Sequence, residues 1–285
     1  MERSPSLAIR KSEGLSLARA KGMKDKVAQF YNLLEDTLVT YNLQDKPNKI
    51  FIMDETGIQL INKPGKVVAI KGSKCVHSVT SKEKGETISL IACNNAGGVF
   101  LPPALMMKGV RSFDSQLNGL PPGTSIPTVE TLTGIYSLAG FISKMDEGSL
   151  FATKAGKVLL ILDGHSSHAS YDVIQLTNEN DIIILCLPSH TTQALESLDK
   201  SFFKPLKEYY KQEAQDWMVT NKEKKISRDS VGTVIGNAWK RAATSKNGIS
   251  GFAATGIYPF NRNAIPDYFF SISDASFQIN NATAV

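Results

Sequence analysis

Val158-Leu159-Leu160-Ile161-Leu162 is an unbroken apolar run closed by Asp163-Gly164. A strand with one solvated face would carry a polar residue at every second position, so this one is buried on both faces. A helix-length segment over about 169–178 follows, and a second apolar run, Asp181–Leu187, stops at Pro188. Strand, helix and strand within about 30 residues make a βαβ unit with parallel strands. Upstream the pattern differs. Ile50–Met53 is a short apolar run ending at Asp54, and Lys66–Ile70 and Val76–Thr80 flank Gly72-Ser73. Thr87–Cys93 and Val99–Met107 flank Asn94-Asn95-Ala96-Gly97-Gly98, a strong hairpin signal. The expected fold class is α/β: antiparallel hairpin strands extended by parallel strands, with helices around the sheet.

The helices follow from apolar spacing. Residues 6–40 read as helical, with Val27, Phe30, Tyr31, Leu33, Leu34 and Leu38 recurring at threes and fours and Asp25 as the expected cap. A weakly amphipathic helix is predicted over about 132–146. Phe203, Leu206, Tyr210, Ala214 and Trp217 mark a long helix that Asp199 is expected to open. A further helix over 229–243 precedes a turn-rich stretch, Gly251–Pro266, and 272–285 reads as a flexible tail.

Composition narrows the function classes. Hydrophobic residues make up 42% of the 285 positions, too many for wholesale disorder. No apolar run approaches the roughly 18 residues of a membrane span, and Met1-Glu2-Arg3-Ser4-Pro5 opens no secretory signal. Cys75, Cys93 and Cys186 form no CxxC pair, which speaks against a disulfide framework and for a reducing compartment. The net charge of +5 is unevenly spread. Residues 1–26 hold seven basic against three acidic residues and 200–246 eleven against five, leaving fourteen against nineteen elsewhere. An acidic middle between two basic stretches suits a polyanion partner, and equally a solvated lysine-rich face.

Three acids occupy suggestive places. Asp54 and Asp163 follow apolar strands, and Asp199 stands at a helix start. Carboxylates beyond the ends of parallel strands lie where open α/β sheets bind ligands, and as hard oxygen donors they suit Mg²⁺ or Mn²⁺. Taken singly, each is more readily a turn or cap residue than a ligand. Asp163, His165 and His168 also form a D-x-H-x-x-H cluster; a zinc site would need further ligands that the sequence does not supply. Lys200, Lys204, Lys207 and Lys211 lie close to one side of the helix after Asp199, placed for phosphate contact or for solvent.

Longer stretches carry more information. Asp163-Gly164-His165-Ser166-Ser167-His168 resembles the central motif of the pogo/Tigger-type transposases, members of the DDE superfamily. Leu187-Pro188-Ser189-His190-Thr191-Thr192-Gln193 and Leu198-Asp199-Lys200-Ser201-Phe202-Phe203-Lys204-Pro205-Leu206-Lys207 continue the resemblance. Met53-Asp54-Glu55-Thr56-Gly57 is similar to that family's first-aspartate motif, and Gly256-Ile257-Tyr258-Pro259-Phe260-Asn261 to its C-terminal signature. Ser16-Leu17-Ala18-Arg19-Ala20 resembles the end of a centromere-protein-B-like helix-turn-helix.

The resemblance implies an RNase H-like core with Asp54, Asp163 and Asp199 as catalytic and metal-binding residues, 35 residues separating the last two. It implies two Mg²⁺ or Mn²⁺ ions, DNA as partner and a nuclear location, with no membrane association; homo-oligomerisation stays open. His165, His168 and Glu196 are expected to support the site. Lys200, Lys204, Lys207, Lys211, Arg10 and Arg19 are expected to contact nucleic acid. Expected domains are a helix-turn-helix remnant and linker helix (1–41), the catalytic core (46–220), a helical extension (221–271) and the tail (272–285). The family's glutamine and proline before the third aspartate are replaced here by Glu196 and Ser197, and the 132–146 helix lacks its frequent tryptophan. The short N-terminal region suggests a fragment, a truncated gene model or a domesticated derivative. Two functions follow: a metal-dependent DNA strand-cleaving and strand-transferring enzyme, or a catalytically silent nuclear DNA- or chromatin-binding protein.

Overall fold

A computed structural model describes residues 22–60, 86–107, 117–126, 156–163, 171–221, 226–267 and 269–270. The strands proposed at 66–70 and 76–80, the helix at 132–146 and the tail lie outside these residues.

Five strands form one mixed sheet: β1 (Ile50–Gln59), β2 (Thr87–Asn95), β3 (Ala104–Met106), β4 (Val158–Asp163) and β5 (Ile182–Leu187), in the order β3-β2-β1-β4-β5. β1 pairs antiparallel with β2, and β2 with β3; β1–β4 and β4–β5 are parallel. The apolar run of β4 thus lies between two parallel neighbours. Its residues alternate between two cores: Leu159 and Ile161 join Ile50, Ile52 and Leu185 on one face, while Leu160 and Leu162 join Phe51, Met53 and Ile182 on the other. Helix α2 (Tyr171–Glu179) links β4 to β5, completing the expected βαβ unit. The segment expected to pair as 99–107 is shorter: a single bridge joins Asn94 to Phe100, and regular strand resumes only at β3. Pro102 and Pro103 interrupt it, because neither can donate to the ladder.

Helix α1 (Met23–Thr40) buries Met23, Val27, Phe30, Tyr31, Leu34 and Leu38, each worth about 1.5–3 kcal/mol when fully buried. Asp25 does not cap it. The cap is Gly22, with φ 90°, and Asp25 sits in the first turn, where the helix dipole favours a negative charge. The Tyr31 hydroxyl donates to the Thr255 carbonyl at 2.6 Å, fastening α1 to the C-terminal part of the chain.

After β5 come α3 (Thr192–Leu195), α4 (Ser197–Ser201), α5 (Phe203–Thr220), α6 (Arg228–Ala242) and α7 (Ser245–Ala254). Asp199 therefore does not open the long helix; it belongs to the separate short helix α4. Pro205 accounts for the break, since a continuous helix would drive its ring against the carbonyl of Ser201 and leave no N–H to pair there. Within α5, Phe203, Leu206, Tyr210 and Ala214 are buried, and just before it the Phe202 ring packs tilted against Phe100 at 4.6 Å and edge-to-face with Trp239 at 5.2 Å. The stretch expected to be turn-rich from Gly251 is helical through Ala254. Helix α7 presses its glycines onto neighbours: a Cβ at Gly251 would lie 2.5 Å from the Ser197 carbonyl oxygen. Among the described residues no helix is long and apolar enough to cross a membrane.

Candidate active site

Register brings the first two aspartates together. The parallel pairing of β1 with β4 runs from Ile50↔Leu159 to Met53↔Leu162, so Asp54 and Asp163 are the next residues on adjacent strands about 4.8 Å apart. Asp163 ends its strand as expected. Asp54 does not: β1 continues to Gln59, carried on by β2 alone. Asp54 sits where β1 loses its parallel neighbour. By alternation Asp54 shares a side with Ile50 and Ile52, and Asp163 with Leu159 and Ile161, so both lie toward the core face that Leu195 and Leu198 also join.

The third acid arrives from the loop after β5. Pro188 to Thr191 form a turn closed by the Thr191 N–H and hydroxyl, both donating to the Pro188 carbonyl, with His190 in the left-handed region at φ 68°. Lys26 of α1 donates to the Ser189 carbonyl at 3.3 Å and to its hydroxyl at 3.2 Å, tying α1 to this loop. Helix α4 packs against β1 and α7, and the Ser201 hydroxyl donates to the Asn247 carbonyl at 2.6 Å. No sequence signal announced this buttress, because α7 carries two glycines and no apolar period.

The acids bear on one another electrostatically. Burial pushes the Asp54 carboxyl up to about 7, and the charges of Asp199, Asp163 and Glu55 add to it against one backbone hydrogen bond at Glu55. Asp199 has an accessible side chain, yet partial desolvation raises it too, with Lys207 and then Lys200 pulling it down. Glu196 is 0% exposed. Its Oε1 accepts from the Leu198 N–H at 3.2 Å, and its Oε2 has no hydrogen-bond partner among the described residues. Burial, then Asp54, Asp199 and Asp163, push its carboxyl well above the ordinary range.

Hard oxygen donors gathered with too little positive charge suit a divalent cation, which would relieve their mutual repulsion. Among the described residues, however, no three His, Cys, Asp or Glu side chains converge closely enough to hold a metal. The acids share a field without forming a finished ligand cage.

The lysines divide between elements. Lys200 lies on α4, its ammonium 5.3 Å from the Phe269 ring, whereas Lys204, Lys207 and Lys211 are exposed on α5, with Lys211 3.8 Å from Glu208. Arg241, not singled out from sequence, stacks on Tyr209 at 4.1 Å and bonds Glu213 and Gln212. His165, His168, Arg10 and Arg19 lie outside the described residues.

Residues 138–253, which include Asp163, Glu196 and Asp199, match the family model of the DDE superfamily endonuclease. The chain is 26% identical over 233 residues to the MFS-type transporter clz9 of Cochliobolus lunatus, covering 79% of this chain and 24% of that protein. It thus spans about a quarter of that curated relative. The Mos1 mariner transposase in its paired-end complex with Mn aligns at a TM-score of 0.51 and 14% identity, over 90% of this chain and 64% of that one. A second Mos1 structure, the paired-end complex with the left transposon end, aligns at 0.47 and 14%, over 88% and 67%. The fold is the RNase H-like α/β fold of the Mos1 catalytic core, and residues 138–253 are similar to the DDE superfamily endonucleases.

Proposed function

We propose that the chain is a transposase-derived DNA-processing protein of the pogo/Tigger type. In this reading Asp54, Asp163 and Asp199 hold two Mg²⁺ or Mn²⁺ ions for DNA strand cleavage and transfer in the nucleus. The observation that carries it is the strand register, which sets Asp54 beside Asp163 while Asp199 bears on Asp54 electrostatically. The paired-end complex of Mos1 with Mn supports a divalent ion as partner.

Each part of the site has a role in this reading. Bound divalent ions would activate the attacking water or 3′-hydroxyl and stabilise the leaving oxygen of a phosphodiester. Asp54 and Asp163 are fixed by paired strands, whereas Asp199 depends on a short helix held by its buttress. Lys200 and Lys207, the cations that hold the Asp199 carboxyl down, would turn to the DNA phosphates, with Lys204 and Lys211 extending that contact along α5.

A second reading, a catalytically silent DNA- or chromatin-binding protein, is favoured by the unfinished ligand cage among the described residues. Nicking of duplex DNA with Mn²⁺, comparing the wild-type chain with Asp163→Asn, separates the two. Nicking lost in the variant supports catalysis; equal nicking, or none by either, leaves the silent reading, which then requires DNA retention that weakens with salt.

A further inference from the structure

Leu187 is the last residue of β5 and pairs with Asp163, about 4.8 Å away across the parallel strands. Pro188 follows, and the chain turns at once. The Thr191 N–H donates to the Pro188 carbonyl at 3.2 Å, and the Thr191 hydroxyl donates to it at 2.6 Å. A turn closed in this way keeps its first and last Cα atoms within about 7 Å. His190 is therefore held at the carboxyl ends of β4 and β5, where open α/β sheets bind ligands. Lys26 grips the same turn from α1, through the Ser189 carbonyl and hydroxyl.

Nothing in the turn needs a histidine. Thr191, fully buried, makes both closing bonds. His190 is exposed, and its imidazole makes no hydrogen bond or ion pair among the described residues. Its backbone is left-handed at φ 68°, a conformation that glycine adopts without the cost a Cβ brings. Asp181 shares that conformation at the opposite end of the sheet, but its carboxylate pairs with Lys157 at 3.0 Å. An exposed imidazole on a strained backbone, with no bond of its own, points to a ligand outside the fold.

The chemistry of the rim says which ligand it suits. Asp163 and Asp199 repel a phosphate, so a polyanion laid here needs donors on the same rim to offset them. An imidazole N–H is such a donor, and phosphate oxygens take the larger share of protein–DNA hydrogen bonds. Resting on the DNA binding that both readings above share, we propose that His190 donates a hydrogen bond to a backbone phosphate of DNA lying across the carboxyl ends of β4 and β5. The turn fastened by Thr191 and Lys26 presents the imidazole to that phosphate.

The test is fluorescence anisotropy of a labelled DNA duplex titrated with the full chain. EDTA is present, so that neither divalent ions nor nicking contribute. Wild type is compared with H190G, H190R and K157A, and thermal unfolding is measured alongside. His190→Gly is expected to weaken binding about tenfold, the scale of one hydrogen bond to a charged group. Its melting midpoint should stay level or rise, because glycine suits the left-handed backbone. His190→Arg supplies a charged donor and should bind within about threefold of wild type or more tightly. Lys157→Ala, before the first residue of β4 and thus at the far end of the sheet, should leave affinity unchanged.

A histidine kept only for the turn would leave H190G with wild-type affinity, and that result overturns the proposal. So does a fall of H190G affinity and melting midpoint together, which would make the loss one of fold. H190R as weak as H190G, or a K157A loss as deep as that of H190G, overturns it as well. No salt-sensitive DNA binding by the wild type overturns the DNA-binding reading itself, and this inference with it.

Discussion

Gly251→Ala isolates the contact that holds the third aspartate. The added Cβ would stand 2.5 Å from both the Ser197 carbonyl oxygen and the Ser201 hydroxyl. The carbonyl belongs to backbone and cannot swing aside, so α7 must retreat from α4 by about 1 Å to restore ordinary packing. Overpacking of this kind costs about 1–3 kcal/mol. The retreat also stretches the 2.6 Å bond from Ser201 to the Asn247 carbonyl, a further loss of about 1 kcal/mol. Alanine returns about 1 kcal/mol through helix propensity. The net expectation is destabilisation by about 1–3 kcal/mol, read from urea unfolding midpoints at a constant slope. Gly57→Ala is the control: its nearest contact is the Thr87 methyl at 3.2 Å, a side-chain atom able to give. Because α4 carries Asp199, Mn²⁺ affinity should fall in Gly251→Ala and hold in Gly57→Ala. Propensity acting alone would make Gly251→Ala more stable than wild type, and that result would refute the buttress.

Gly236→Ala should be harsher, as its Cβ would meet the Gly119 carbonyl oxygen at 1.9 Å; little soluble, cooperatively melting protein is expected. Lys207→Ala should lower the slope of log affinity for DNA against log salt by about 0.9, one phosphate contact; an unchanged slope would assign Lys207 to Asp199 alone. Saturating Mn²⁺ should raise the melting midpoint of the wild type and not of Asp163→Asn, because a ligand that binds only the folded state stabilises it. Arg228 bonds Glu86 with both its Nε and a terminal nitrogen, so a double-mutant cycle over the pair should give about 1 kcal/mol of coupling; a value near zero would show that it does not help hold the start of α6 to β2.

The legible parts of the fold were those whose local pattern admits one solution. The β4 run had to be buried on both faces, and β4, α2 and β5 lie in the expected parallel arrangement. Periodicity also located α1, α5 and α6. The errors cluster where a local signal competed with a distant one. Asp25 has good cap chemistry, but Gly22 takes the cap. The apolar spacing from Phe203 concealed that Pro205 separates α5 from Asp199. The glycines of α7 read as turns because their reason for being small lies in distant elements, at Ser197 and Ser201 of α4 for Gly251 and at Asn94 of β2 and Gly98 of the turn after it for Gly248.

For the site, the sequence by itself determined the cast: three aspartates after strands or at a helix, a glutamate three residues before the third of them, and lysines following it. Those are properties of residue type and order along the chain. Tertiary structure alone decided how the acids stand to one another. Asp54 lies beside Asp163 only because β1, whose residues precede their β4 partners by 109 positions, pairs parallel with β4 and loses that partner after Met53. Glu196 is fully buried, with one oxygen unpartnered among the described residues, where α4 is pinned between β1 and α7. Burial and charge coupling depend on what the fold brings near, and the order of residues along a chain does not contain that distance.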